Sequence, residues 1–99
     1  MLELWKEVYK MTIYRVTDTF GNERIANQRE LRIIASYFNY KKIKHPYNLN
    51  NLVNEMAGMH FVEHDEIYKK YYISDIVTIT NYFKQAGLGI TPIRSTTPD

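Results

Sequence analysis

The sequence predicts a small single α+β domain in the order helix, β-hairpin, helix, helix, β-hairpin, helix. Three observations support this prediction: a strongly capped helix over residues 27–39, residues of high strand propensity before it, and no stretch resembling a linker. A chain of 99 residues is long enough to bury one hydrophobic core. We expect residues 1–93 to form the domain and the polar residues 94–99 to form a flexible tail.

The first predicted element is a short amphipathic helix over residues 1–10. Leu2, Trp5 and either Val8 or Tyr9 recur at helical spacing, and charged residues stand between them. A helix of this length is marginal in water, so Trp5 needs a partner surface, either in this chain or in a second copy forming a homodimer. Met11 is a second possible start of translation, so we treat this helix as an accessory layer.

A β-hairpin is predicted next. Residues 12–17 alternate in character and are rich in β-branched and aromatic types, which favours a strand that runs into a turn at 18–22. Gly21 and Asn22 tolerate the positive φ that tight hairpin turns require. Residues 23–26 can therefore return as the second strand.

The most strongly determined element is the helix over residues 27–39. Asn27 can cap its start, and Glu30 stands three residues later, where it completes a capping box. The residues predicted to face the core recur at helical spacing and are Leu31, Ile34, Ala35 and Phe38. The residues predicted to face outward are Arg29, Arg32 and Ser36.

A second helix is predicted after Pro46, which cannot continue the first one. Asn48 or Asn50 can cap it, and Gly58 stands where a left-handed terminator belongs. Its apolar stripe consists of Leu49, Leu52, Val53, Met56 and Ala57.

A second hairpin and a last helix complete the prediction. Residues 59–63 and 68–73 flank a polar run at 64–67, which indicates two strands and a turn. The inward residues of this hairpin would be Phe61, Tyr71 and Ile73. Ser74 can cap the last helix and Gly87 can stop it; residues 77–80 also suit a strand, but helix is favoured. Its inward face would consist of Ile76, Ile79 and Phe83.

Composition and charge exclude several classes of protein. A net charge of +2 is too small to indicate nucleic-acid binding by itself, and it argues against an acidic mimic of DNA. The absence of cysteine fits a reducing compartment, so a cytoplasmic location is expected. No apolar run approaches the roughly 20 residues needed to span a bilayer, so no membrane is predicted as a partner.

No motif indicates catalysis, a metal or another cofactor. The serines lack the setting of a nucleophile, and no glycine-rich loop with lysine could hold a phosphate, so an enzyme is not expected. The only cluster with metal-ligand character is His60, His64 and Asp65, whereas a closed zinc site needs four ligands. We therefore predict surface histidines and no metal site.

The candidate functional residues are cations and tyrosines. Tyrosine and arginine are enriched at interface hot spots, and nine tyrosines exceed what so small a core can bury with each hydroxyl satisfied. The predicted contact residues of the basic half are Arg24, Arg29, Arg32, Tyr37, Tyr40, Lys41, Lys42, Lys44 and Tyr47. Secondary candidates on the second hairpin are Tyr68, Lys69, Lys70 and Tyr72.

In style, the small size, the lysine-rich and isoleucine-rich composition and the lack of a catalytic motif resemble small accessory proteins of bacterial viruses and mobile elements. Inhibitors of bacterial nuclease defence, anti-CRISPR proteins included, are the most specific resemblance. It implies a non-enzymatic protein that binds a host protein or nucleoprotein, such as an RNA-guided nuclease, in the cytoplasm of an infected bacterium.

The alternative is a small DNA- or RNA-binding regulator. The order helix, helix, hairpin resembles a winged helix, with residues 68–72 as the wing. In that fold the helix before the hairpin enters the major groove, and here that helix, residues 48–57, contains no lysine or arginine. The protein-binding hypothesis is therefore favoured over this alternative.

Overall fold

The computed structural model describes residues 11–96, which fold into three strands and four helices. The elements in chain order are β1 (Met11–Thr17), β2 (Glu23–Asn27), α1 (Gln28–Lys41), α2 (Leu49–Ala57), α3 (Phe61–Lys70), α4 (Ile76–Gln85) and β3 (Gly89–Thr96). The α+β class is confirmed, but the element order differs, because one three-stranded sheet replaces the two predicted hairpins. The predicted helix over residues 1–10 lies outside the described residues.

The sheet is antiparallel, with the strand order β2-β1-β3, so β1 is its central strand. The predicted hairpin of β1 and β2 is confirmed. Its loop is closed by Asp18, whose backbone N–H donates to the Asn22 carbonyl at 3.2 Å. Gly21 has a φ of +89°, a value that glycine adopts at little cost, and this residue lets the chain reverse in three residues.

Strand β3 was not predicted. It pairs with β1 from Gly89 opposite Thr17 to Thr96 opposite Met11, so the strand continues into residues 94–96 of the predicted tail. Pro92 is the reason that the sequence does not indicate a strand here. A proline has no N–H to donate, but it is tolerated on an edge strand, and here the register shifts by one residue directly beside it.

Helix α1 begins as predicted. The side chain of Asn27 accepts from the Glu30 N–H at 2.9 Å, and the Glu30 carboxylate accepts from the Asn27 N–H at 3.0 Å. Ser36, which was predicted to face outward, is buried, and its hydroxyl donates to the Ile33 carbonyl at 2.7 Å. The reason is that α1 packs against helices and strands on more than one side. Its inward residues Leu31, Ala35 and Phe38 are fully buried, as predicted.

Helix α2 has the predicted cap and an unexpected end. The Asn48 side chain accepts from the backbone of Asn50 and Asn51, and Leu49 and Leu52 are buried. Gly58 was predicted to end the helix in the left-handed conformation. It instead has a φ of −82°, so the helix ends without a left-handed residue.

Residues 61–70 form helix α3, so the predicted second hairpin is wrong. The polar run predicted as a turn lies within this helix, where Asp65 and Glu66 face solvent and Asp65 forms an ion pair with Lys69, one turn later, at 3.0 Å. Glu63 in the first turn and Lys70 in the last turn also suit the helix dipole. Among the side chains of α3 that the structure describes, which do not include Phe61, Ile67 is buried, whereas Tyr71 and Ile73 beyond the helix are half-buried.

Helix α4 confirms the favoured prediction for this segment. Its cap is Asp75 and not Ser74, since the Asp75 carboxylate accepts from the Thr78 N–H at 3.0 Å. Gly87 follows the helix with a φ of +68°, as a terminator should. Two of its predicted inward residues, Ile79 and Phe83, are fully buried, whereas Ile76 is exposed.

The core lies between the inner face of the sheet and helices α1, α2 and α4. Phe38 stands at its centre and contacts Phe83 edge to face, with ring centroids 5.4 Å apart. Val16 covers the core from the sheet side. Among residues 11–96, no helix is both long enough and apolar enough to cross a membrane.

Candidate functional site

The predicted basic surface is divided among different parts of the fold. Arg24 lies on the edge strand β2, Arg29 lies in the first turn of α1, and Lys41 lies at the end of α1. A helix rises 1.5 Å per residue, so Arg29 and Lys41 are about 18 Å apart along α1. The predicted contact residues therefore lie on β2 and at both ends of α1.

The lysines after α1 have a structural role. Lys42 is the C-cap of the helix, with a φ of 54°, and its N–H donates to the Phe38 carbonyl. Positive charge at a helix C-terminus interacts favourably with the helix dipole, which explains why Lys41 precedes it and Lys44 follows closely. All three side chains are solvent-exposed.

Arg32 is less exposed than predicted. Its Nε is buried and has no hydrogen-bond partner among the residues that the structure describes. A buried polar atom without a partner costs free energy, so only the remainder of this side chain can serve a contact surface.

Tyr37 lies in the interior, and Tyr47 packs against the core while remaining partly exposed. Tyr37 is only 4% exposed, and its hydroxyl donates to Glu55 Oε1 at 2.9 Å. The hydroxyl of Tyr47 donates to Glu55 Oε2, and its ring contacts Phe38. One carboxylate on α2 thus accepts from two tyrosines of other parts of the chain, and the burial of Tyr37 leaves little of its ring for a partner.

The environment of these groups shifts their ionisation. Burial, followed by the hydrogen bond to Glu55, raises the pKa of Tyr37 to about 12. Burial and Glu55 also raise the pKa of Tyr47 well above its ordinary value. Both hydroxyls therefore remain protonated donors at neutral pH.

Two further carboxyl groups stabilise loops and caps. Partial desolvation raises the pKa of Asp18, but hydrogen bonds from the Leu49 backbone and from Asn22 outweigh this effect and lower it to about 2. The Asp18 carboxylate thereby ties the hairpin turn to the first residue of α2, at 2.8 Å. The hydroxyl and N–H of Thr78 lower the pKa of Asp75 at the start of α4.

Tyr40 meets Tyr71, which lies in the chain between members of the second candidate group. It is 41% exposed and contacts Tyr71 edge to face, with centroids 5.3 Å apart. Lys70 lies 5.8 Å above the Tyr71 ring, within cation–π range. The Asn39 amide donates to the Tyr71 carbonyl at 3.4 Å, so the end of α3 is held against the end of α1.

A second aromatic pair lies beside the first. Tyr68 and Tyr72 are edge to face at 5.2 Å, and Tyr72 is 48% exposed. Tyr68 also lines a small cavity of about 160 Å³ with Arg29 and Ile33. We call the following residues the tyrosine-lysine surface: Tyr40, Lys41, Tyr68, Lys69, Lys70, Tyr71 and Tyr72.

Carboxylates are interleaved with this surface. Glu63 and Glu66 line a groove of about 220 Å³ together with Tyr40 and Lys70, and Asp65 pairs with Lys69. The local charge is therefore mixed. Tyr71 is the member that the sequence analysis did not single out as a contact residue, although its place between lysines and tyrosines in residues 68–72 was the available signal.

The wing of the proposed winged helix is absent from the described residues. Residues 68–72 are the end of α3 and the residues directly after it, so α2 is followed by a helix and not by a hairpin. The winged-helix arrangement is therefore wrong, while direct nucleic-acid binding stays a prediction. The histidines His60 and His64 lie at the start of α3, and residues 11–96 contain no group of three or more possible protein ligands for a metal.

A separate groove of about 240 Å³ lies between β2 and α2. Its deepest lining residues are buried and apolar: Val16, Ala26, Leu49 and Leu52. Arg24 and Val53 stand at its exposed rim. This groove and the tyrosine-lysine surface are two features of the described residues that suit a macromolecular partner.

The chain has also been compared with protein-family models, with curated proteins and with solved structures, and none of these comparisons finds a match. Its function is therefore inferred from its own residues.

Proposed function

We propose that this chain is a non-catalytic protein-binding module that acts by occupying a surface of its partner. The observation that supports this proposal is the tyrosine-lysine surface, in which the ends of α1 and α3 hold two edge-to-face tyrosine pairs with exposed members. Tyrosine supplies a large and stiff contact area at a low cost in conformational entropy, which is why it is enriched at interface hot spots.

The mixed charge of this surface favours a protein over nucleic acid. Phosphate backbones attract continuous positive charge, whereas Glu63, Asp65 and Glu66 lie among the lysines here. A protein partner with charges of both signs can pair with each of these groups. Stacking of bases on Tyr40 and Tyr72 is the feature that supports the alternative, single-stranded nucleic acid.

The partner that we propose is a bacterial defence nuclease or a related nucleoprotein, inhibited or modulated by steric occupation. This part of the proposal rests on the composition and size of the chain, which resemble those of small accessory proteins of bacterial viruses. No cofactor enters the proposed mechanism.

Cleavage assays test this proposal directly. The full chain is titrated into a panel of purified RNA-guided nucleases, and we expect inhibition of one of them to be complete near one equivalent. The variant Tyr40→Ser with Tyr72→Ser should weaken inhibition by at least about tenfold, since two anchors are lost. The matched control is Phe20→Ser, which removes an exposed aromatic ring from the turn between β1 and β2, outside the tyrosine-lysine surface.

A salt titration tests the alternative. Binding of the chain to random single-stranded and duplex nucleic acid is measured between low and physiological salt. Tight binding that weakens steeply with salt and is lost in the tyrosine double variant would replace the protein-binding proposal with nucleic-acid binding. Binding only above high micromolar concentrations removes the alternative.

A further inference from the structure

Strand β2 forms an open edge of the sheet. The strand order is β2-β1-β3, and no other strand within residues 11–96 pairs with the outer side of β2. Ile25, at the middle of this strand, is 55% exposed. Edge strands with unpaired main-chain groups are natural templates for a further strand, and proteins usually protect them with charge, proline or a covering element.

The register shows which main-chain groups point outward. Asp18 donates its N–H to the Asn22 carbonyl, and hydrogen-bonded pairs alternate along an antiparallel ladder. Val16 opposite Arg24 is therefore a hydrogen-bonded pair. Ile25, one residue further, turns its N–H and C=O away from β1.

The neighbours of Ile25 follow the same alternation. Asn27 also turns outward, since its N–H donates to the Glu30 carboxylate and not to β1. Glu23 has the same orientation as Ile25 because it lies two residues before it. Glu23 and Ile25 thus offer two donors and two acceptors to a guest strand.

The groove between β2 and α2 adjoins this edge on the inner side of the sheet. Ala26, which is small, leaves space above it, and Leu49 and Leu52 close the groove from α2. Ile34 and Val53 form its walls. A guest strand beside β2 would place alternate side chains over Arg24 and Ala26, and the one over Ala26 would enter the groove.

The charge of Arg24 indicates which type of side chain a guest strand would place beside it. Arg24 is exposed at the rim of the groove. Among the described side chains it takes part in neither the ion pair of Arg15 with Glu23 nor that of Asp65 with Lys69. A carboxylate two residues along from the apolar side chain would pair with it.

A second copy of β2 fits less well. The inner-face residues of such a copy would be Arg24 and Ala26, so neither could supply a carboxylate or a large apolar side chain. Only Glu23 and Ile25 would join the ladder, so the contact area would fall far below the roughly 1,200 Å² at the lower limit of stable interfaces.

We propose that β2 accepts an extended segment of another protein as a fourth strand, with an apolar side chain in the groove and an aspartate or glutamate two residues away at Arg24. Backbone pairing would supply affinity, and the two side chains would supply specificity. This site is separate from the tyrosine-lysine surface.

A displayed library of random linear dodecapeptides, selected on the immobilised full chain, provides the probe. We expect enriched peptides to share an apolar residue and an acidic residue two positions apart. The best peptide, made synthetically, should protect the Ile25 amide from hydrogen exchange, and this amide should exchange faster than that of Arg24 in the free chain. No enrichment over an unrelated protein, or enriched peptides without this pattern, would overturn the proposal.

Substitutions locate the binding. Ile25→Pro removes an outward N–H and no hydrogen bond to β1, so it should weaken peptide binding by at least about tenfold, whereas Ile25→Thr, which keeps the N–H, should change it by less than about threefold. Val53→Lys at the groove should weaken binding like Ile25→Pro, and Val77→Lys on α4 is its matched control. Peptide binding by Ile25→Pro and Val53→Lys that is as strong as binding by the unaltered chain would overturn the site. Val53→Lys tests the site even if Ile25→Pro fails to fold.

Two other occupants would be recognised in the same experiments. Light scattering that shows a dimer in the full chain but not in Val53→Lys would assign the edge to a second copy. A protected Ile25 amide in the monomeric free chain would assign it to the chain's own residues. Either result overturns the proposal, whereas unchanged peptide binding by the Tyr40→Ser, Tyr72→Ser variant separates it from the function proposed above.

Discussion

Two pairs of tyrosines show how location determines what one residue type does. Tyr37 and Tyr47 share a carboxylate acceptor, Glu55, and at least the first is buried. Tyr40 and Tyr72 contact other tyrosines instead, and both are substantially exposed. The first pair joins α1, the following loop and α2, whereas the second pair covers the place where α1 and α3 end.

The difference follows from the helical repeat. Tyr37 and Tyr40 lie three residues apart on α1, so both are near its last turns, but their side chains point in directions about 60° apart. This rotation directs Tyr37 towards α2 and leaves Tyr40 at the surface beside Tyr71. We therefore expect the first pair to determine stability and the second to determine binding.

Of the substitutions that test this contrast, Tyr37→Ala is expected to have the largest effect on stability. It removes a buried ring and a satisfied hydroxyl, so the free energy of unfolding should fall by about 3–5 kcal/mol. Denaturant unfolding followed by circular dichroism measures this change. A loss of less than about 1 kcal/mol would place Tyr37 with the surface tyrosines.

A smaller effect is expected from Glu55→Ala. This change leaves two tyrosine hydroxyls without their acceptor, which should cost about 1–3 kcal/mol of stability. Glu66→Ala on α3 is the matched control, since it removes an exposed carboxylate. If both variants unfold at the same denaturant concentration, Glu55 does not hold the two tyrosines.

A titration to alkaline pH provides a third test of the environment of Tyr37 and Tyr47. The pKa of Tyr37 is about 12 in the folded chain, against an ordinary value of 10.0. Between these two pH values the folded state holds the Tyr37 proton and the unfolded state has lost it. The contribution of Tyr37 to stability is therefore complete below pH 10 and disappears as the pH rises towards 12. Tyrosinate absorbance should show a late phase that Tyr37→Phe, Tyr47→Phe removes; an unchanged titration contradicts the assignment.

The smallest change in stability is expected from Tyr40→Ala. Part of this ring is in water, and its partner Tyr71 is also held by Asn39. The free energy of unfolding should therefore fall by no more than about 1 kcal/mol. The same variant should weaken inhibition in the cleavage assay. A large loss of stability with unchanged inhibition would reverse the contrast between the two pairs.

Local patterns were sufficient for several elements. Asn27 and Glu30 identified the start of α1 because both partners of a capping box lie within four residues. Gly21 identified the first hairpin for a similar reason. The inward residues Leu31, Ala35 and Phe38 followed from helical spacing alone.

Other elements depended on distant contacts. The sequence predicted a hairpin over residues 59–73, whereas residues 61–70 form a helix that packs Ile67 against the rest of the chain. Strand β3 was missed because its partner β1 is more than 70 residues earlier, and Pro92 disfavours a strand when it is considered alone. For the candidate site, the tyrosine and lysine residue types were predictable, but not which tyrosines remain exposed.

The sequence by itself determined the α+β class, the capped helix α1, the first hairpin and the residue types of a contact surface, because each depends on neighbours within one or two turns of chain. Only the tertiary structure decided that α3 is a helix beside α1, that β3 completes the sheet, and that Glu55 binds Tyr37 and Tyr47. Burial is a property of the assembled elements, so the division between structural and contact tyrosines appears only when those elements pack.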